Sequence, residues 1–157
     1  MTKFAIRQRV FGVTIEGRQP LKSVTAGATA SGGNVLELAP HLLDGFAWNG
    51  DDGVLYVEED GLYAVNARFY FANDEAGTGQ VQLHLRNKVT GEFLLWNAHN
   101  VTGTTPWADV IQLSGTVYLK ECDQLQFGVF ASADPGNPIL EYRDYHGSGL
   151  SVFKIAE

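Results

Sequence analysis

Apolar and polar side chains alternate in short runs along this chain, and clusters of turn residues separate the runs at intervals of roughly ten positions, which is how strands with one buried face read. The clearest run is Gln80–Arg86, where Val81, Leu83 and Leu85 alternate with Gln80, Gln82, His84 and Arg86 to give one apolar and one wet face. Leu62–Phe71 differs. Tyr63, Val65, Ala67, Phe69 and Phe71 fall on one of its faces, and Leu62, Ala64, Asn66, Arg68 and Tyr70 on the other, so both are partly apolar. Further strands are predicted at Val54–Val57, Phe93–Ala98, Ala108–Leu119, Gln124–Ala131, Ile139–Tyr142 and Gly149–Ile155. Between them lie the turns 73–79, 87–91, 103–106 and Asp134-Pro135-Gly136-Asn137-Pro138, in which Pro fixes and Gly frees the backbone for a reversal. Helical periodicity is absent over any long window; only Leu36–Leu43 has the pattern of a helical turn, limited by Pro40.

Composition agrees with strands. Apolar residues make up 45% and charged residues only 18%, with 18 Gly, unlike either a disordered tail or a helical bundle. A chain of 157 residues corresponds to one domain, large enough to stand without metals or disulfides. Its single cysteine, Cys122, can form no internal disulfide. The net charge of −7 is unevenly spread: Lys3, Arg7, Arg9, Arg18 and Lys22 against Glu16 alone give residues 1–22 a charge of +4, leaving −11 for the rest. A body so acidic repels polyanions, which argues against nucleic acid as a partner. No run approaches the roughly 20 apolar residues of a membrane span, so no membrane insertion is expected. Arg7 and Arg9 interrupt the apolar run that an export signal would need, so either this is a mature form from which a signal has been removed or the protein is made and assembled in a reducing cytoplasm, and without export the sequon Asn100-Val101-Thr102 carries little weight.

Four stretches, in order, resemble the superfamily of tumour necrosis factor and the globular heads of the first complement component. The first is Phe46–Phe71, with a short strand, an acidic turn at Gly61 and then Leu62-Tyr63-Ala64-Val65. The second is Val81–Glu92, and the third is Leu113–Leu119 followed by Glu121–Asp123 and Leu125–Val129. The last is Ser148-Gly149-Leu150-Ser151-Val152-Phe153, similar to the family's closing strand. The resemblance covers residues 23–157. It implies an all-β fold, a ten-stranded antiparallel jelly-roll sandwich that assembles as a homotrimer, with the final strand near the centre of the inner sheet. Glu121-Cys122-Asp123 stands where the family has a Gly-acid turn, no collagen-like stalk is present, and residues 1–22 have no counterpart. The domain reading is therefore a basic N-terminal arm, 1–22, and a jelly-roll domain, 23–157.

Candidate chemistry is sparse. Glu121 and Asp123 flank Cys122 and disfavour its thiolate, so a turn residue is expected rather than a nucleophile. His41, His84, His99 and His146 lack the paired spacing of zinc motifs, and His84 is expected to face solvent or an interface. Asn49-Gly50-Asp51-Asp52-Gly53 offers oxygen ligands for calcium without EF-hand spacing and reads first as a tight turn. Trp48, Trp96 and Trp107 could stack on sugar rings or pack in a core or trimer interface. No nucleophile elbow, phosphate loop or paired-carboxylate motif is present, so neither an enzyme nor a cofactor is expected.

These observations lead to the expectation of a non-catalytic homotrimer at a virion surface, a bacteriophage capsid decoration protein made in the host cytoplasm. Its partners would be itself and a major capsid or other virion protein. Lys3, Phe4, Arg7, Arg9, Phe11 and Arg18 would form the docking arm, and Tyr63, Phe69, Tyr70, Phe71 and Phe127 the trimer or core aromatics. A competing reading of 10–15 is a strand of the sandwich. The alternative function is a receptor- or glycan-binding module at a tail tip or bacterial surface, contacting a host surface glycan through Trp107, Tyr142, Arg143 and Tyr145.

Overall fold

The computed structural model describes residues 10–14, 19–22, 34–35, 40–73, 77–103, 107–133, 139–142 and 149–157. Among them there are thirteen strands and no helix: β1 (Val10–Thr14), β2 (Gln19–Lys22), β3 (Asn34–Val35), β4 (Pro40–Asp44), β5 (Phe46–Asn49), β6 (Val54–Val57), β7 (Gly61–Asn73), β8 (Gly77–Asn87), β9 (Phe93–Gly103), β10 (Trp107–Leu119), β11 (Gln124–Ala133), β12 (Ile139–Tyr142) and β13 (Gly149–Ala156). The fold is the all-β antiparallel sandwich expected. Five strands make the body of each sheet: β4-β1-β13-β7-β10 in the first and β5-β6-β11-β8-β9 in the second. Short β2 and β12 extend the first beside β7, and β3 pairs with β11 in the second. Consecutive strands repeatedly change sheet, while spatial neighbours such as β7 and β13 lie far apart in sequence, a jelly-roll-like arrangement.

Period-two alternation decides what fills the space between the sheets. The first sheet sends in Phe11, Tyr63, Val65, Ala67, Ile111, Leu113, Val117, Leu119, Leu150 and Val152; the second answers with Phe46, Leu55, Val57, Leu83, Leu85, Leu125, Phe127 and Val129. Each large side chain buried here contributes roughly 1.5–3 kcal/mol. Phe11 packs 6.1 Å from Phe46 and 5.9 Å from Trp48, and Phe46 meets Tyr63 edge-on at 5.5 Å. The Tyr63 hydroxyl is satisfied by donating to the Glu59 carbonyl at 2.8 Å. Lys154 ties the end of β13 down through Glu157 at 2.9 Å and Glu59 at 3.4 Å.

Two expectations are corrected. Pro40–Asp44 is strand β4 rather than part of a helical turn, because its backbone pairs with β1; residues 36–39 lie outside the described residues. The other concerns the boundary at residue 22, which the strand pairing does not keep. Strand β1 lies between β13 and β4, and β2 pairs with β12, so described residues from Val10 onward belong to the sandwich.

Two glycines set how closely chain segments approach. Gly115, opposite Val65, lies beneath Leu95 of the facing sheet; a Cβ here would sit 2.7 Å from the Leu95 Cδ2. Gly61 has φ +156°, and a Cβ there would meet the Ala156 carbonyl oxygen at 2.6 Å. Leu95 can rotate, whereas a strand carbonyl cannot move without breaking its ladder. Urea denaturation should therefore rank the two variants, Gly115→Ala losing about 1–2 kcal/mol and Gly61→Ala about 2–4 kcal/mol; equal losses would contradict the packing described.

Candidate functional site

With alternate residues drawn inward, the remainder form two outer faces, and these are where chemistry is accessible. Paired residues point the same way, so each face reads as rungs. On the first sheet one rung is Val10–Phe153–Ala64–Thr116, flanked by the pair Leu62–Tyr118. The next is Leu42–Gly12–Ser151–Asn66–Ser114, and beyond it lies Gly149–Arg68–Gln112. One half is thus apolar, with Tyr118 57% exposed and Leu62, Ala64 and Phe153 half-buried. The other half is polar and holds an open groove of about 400 Å³ lined by Asn66, Arg68, Gln112, Ser114 and Ser151.

The outer face of the second sheet carries a buried polar network. Arg86 donates from Nη2 to the Gln126 side-chain oxygen at 2.9 Å, and Gln126 donates from Nε2 to the Asp52 carbonyl at 2.9 Å. Lys88 pairs with the Asp52 carboxylate. The turn itself is closed by the Asp51 amide donating to the Asn49 side-chain oxygen at 3.1 Å, with Gly53 at φ +64°. The segment read as a tight turn is therefore also a staple across β8 and β11. Asp52 Oδ1, Arg86 Nε and His84 Nδ1 are buried without a hydrogen-bond partner. Among the described residues no cluster of three or more His, Cys, Asp or Glu is placed to hold a metal.

His84 lies on the polar side of β8 as its position in the sequence implies, but it is 2% exposed rather than solvent-facing. Phe93 meets its ring edge-on at 4.9 Å, and Trp96 stands directly opposite on β9. Burial first, and then the charge of Arg86 on the same face, push its imidazole down to about 4.

The remaining expected site residues divide clearly. Phe11 is a correction: fully buried between Phe46 and Trp48, it is core and not a docking residue, because the sandwich offers its ring an apolar site. Tyr63 and Phe127 are core, as expected of that group. Phe69, Tyr70 and Phe71 lie in β7 opposite Ile111, Val110 and Asp109, with side chains outside the described residues. The same holds for Trp107 at the start of β10 and Tyr142 at the end of β12. Lys3, Phe4, Arg7, Arg9, Arg18, Arg143, Tyr145 and His146 lie outside the described residues altogether. His41 is exposed, Trp48 packs on Phe11, and Trp96 is 62% exposed. Nothing in the sequence pattern marked the Asp52–Gln126 contact, which joins residues 74 positions apart.

Cys122 occupies the turn expected of it, exposed and at φ +71°, its amide donating to the Val57 carbonyl at 2.8 Å. Asp123 accepts from the Lys120 amide at 2.9 Å, and Asp60 from the Glu121 amide at 2.6 Å. A left-handed backbone here favours glycine and resists β-branching. Cys122→Ser should shift stability by less than about 0.5 kcal/mol, and Cys122→Val should cost more than about 1 kcal/mol; thermal melts distinguish them.

His84 gives a signed pH dependence. The unfolded imidazole takes up a proton near 6.5 and the folded one only near 4, so its contribution is complete above pH 6.5 and falls as the pH drops through that window. Denaturation at pH 7 and 4.5 should show a loss about 1–3 kcal/mol larger in the native protein than in His84→Gln; an equal loss in both would contradict a neutral, buried imidazole.

Compared with known proteins, the sequence matches no family model and no curated protein.

Proposed function

We propose that this chain is a non-catalytic structural protein of a virion, a homotrimer that decorates a bacteriophage capsid and docks on the major capsid protein or another virion protein. The observation that carries the reading is the apolar half of the first sheet's outer face, where Leu62, Ala64, Tyr118 and Phe153 lie side by side at the surface. Apolar surface grouped in this way favours a protein partner. A second copy of the chain is the partner that the resemblance to the tumour necrosis factor superfamily implies. The place of β13, in the middle of the five strands that make the body of the first sheet, supports the reading, since that resemblance implies a central final strand.

Docking falls to residues 1–9. They carry Lys3, Arg7 and Arg9 with no acidic residue, and the chain enters the sandwich immediately afterwards at Val10. A cationic tether of this kind orients association with an acidic shell. Lys3, Phe4, Arg7 and Arg9 are the docking residues on this reading, while Phe11 holds β1 in place.

Light scattering tests the assembly directly. The mass should be three times 17.1 kDa and should fall to that of one chain in Tyr118→Glu; a single-chain mass for the native protein at about 10 µM, well above the Kd of a stable assembly, contradicts it. Docking has its own test. Deleting residues 1–9 should leave a folded trimer that no longer sediments with purified capsids, whereas deleting residues 1–22 removes β1 and should unfold the sandwich. Retained sedimentation after the shorter deletion would remove the arm from the mechanism.

A further inference from the structure

The outer face of the second sheet carries an uncharged, amide-lined shelf beside an exposed tryptophan. Trp96 is 62% exposed although it sits within a strand and directly opposite the buried His84. The next two rungs along β8 and β9 are Gln82–Ala98 and Gln80–Asn100. The Gln80 amide donates to the Asn100 side-chain oxygen at 3.1 Å, which fixes the orientation of that pair and leaves the remaining amide hydrogens and lone pairs for another molecule. Ala98 keeps the floor between Trp96 and this amide pair low. From Trp96 to Asn100 the shelf runs four residues along a strand, about 14 Å, enough for two or three sugar rings.

We propose that this shelf binds a neutral carbohydrate chain, with the apolar face of one ring stacked on Trp96 and the hydroxyls of its neighbours bonded to Gln80, Gln82 and Asn100. The charge pattern selects that ligand. In a chain with a net charge of −7 these rungs carry no ionised group, the imidazole opposite Trp96 is buried, and the nearest charge on this face, Arg86, is engaged by Gln126, so neither a polyanion nor a cationic peptide finds a free complementary charge along the shelf. An indole face presents a flat apolar surface to sugar C–H groups, while carboxamides both donate to and accept from hydroxyls. The site is complete within one chain and lies on the sheet opposite the proposed contact between copies, so it stands independently of trimer formation.

Calorimetric titration with maltohexaose, cellohexaose, mannohexaose and hexa-N-acetylchitohexaose, with dextran sulfate as the charged comparison, tests it. At least one neutral hexasaccharide should bind saturably with a Kd of about 1 mM or tighter. Trp96→Ala should abolish that binding and Gln82→Ala should weaken it about tenfold, both variants keeping the native melting curve because Trp96 is exposed and the half-buried Gln82 lies on the outer face, outside the core. Saturable binding of dextran sulfate alone, no heat with any neutral hexasaccharide, or unchanged affinity in folded Trp96→Ala would each overturn the proposal. Gln82→Ala keeps the test decisive if Trp96→Ala fails to fold.

Discussion

Everything accessible on this molecule is determined by what the two sheets must hide from water. A strand commits every second side chain to the interior. Once Tyr63, Val65 and Ala67 face Leu83, Leu85 and Phe127 across the sandwich, Ala64, Asn66, His84 and Arg86 have only the outer faces left. The fit tolerates little slack. Leu95 closes over the bare backbone of Gly115, and the start of β7 passes so near Lys154 and Ala156 that position 61 suits a glycine. A one-residue slip of any central strand would turn the core outward, so the register that builds the interior also fixes the composition of both outer faces.

Those faces came out unlike each other. The first sheet is apolar at one end, around Leu62, Tyr118 and Phe153, and polar at the other, around Arg68 and Gln112. The second is bound together by Arg86, Gln126 and Asp52 and then opens, past His84 and Trp96, onto a row of amides. A surface of the first kind is what the proposed assembly would cover, and one of the second kind is where the proposed glycan would reproduce the hydrogen bonds of the water it displaces. The proposed assembly and the proposed glycan shelf thus use opposite sides of one sandwich.

The strands were legible in the sequence wherever alternation was strong. Val54–Val57 and Ile139–Tyr142 fall within the predicted bounds, and Leu83 and Leu85 are buried as their spacing implies. Phe11 was harder to place, because an apolar residue among cations reads equally as a tether or as a strand, and only pairing with Val152 and Leu43 decides it. Strand β4 was hidden for a related reason: Pro40 limits a helix, yet it also serves as the first residue of an edge strand. The burial of His84 could not be read from alternation, which assigns a face and not what covers that face. Contacts such as that of Gln126 in β11 with the turn residue Asp52 join segments distant in sequence and leave no local pattern.

Carbene footprinting of the native protein, compared between a dilute sample and a concentrated one, measures the division between the two faces most directly. Labelling of Leu62, Tyr118 and Phe153 should fall together as copies associate, while labelling of Trp96 stays constant as an internal reference on the uncovered side. Full labelling of Tyr118 at every concentration, or loss of labelling at Trp96 instead, would contradict the account.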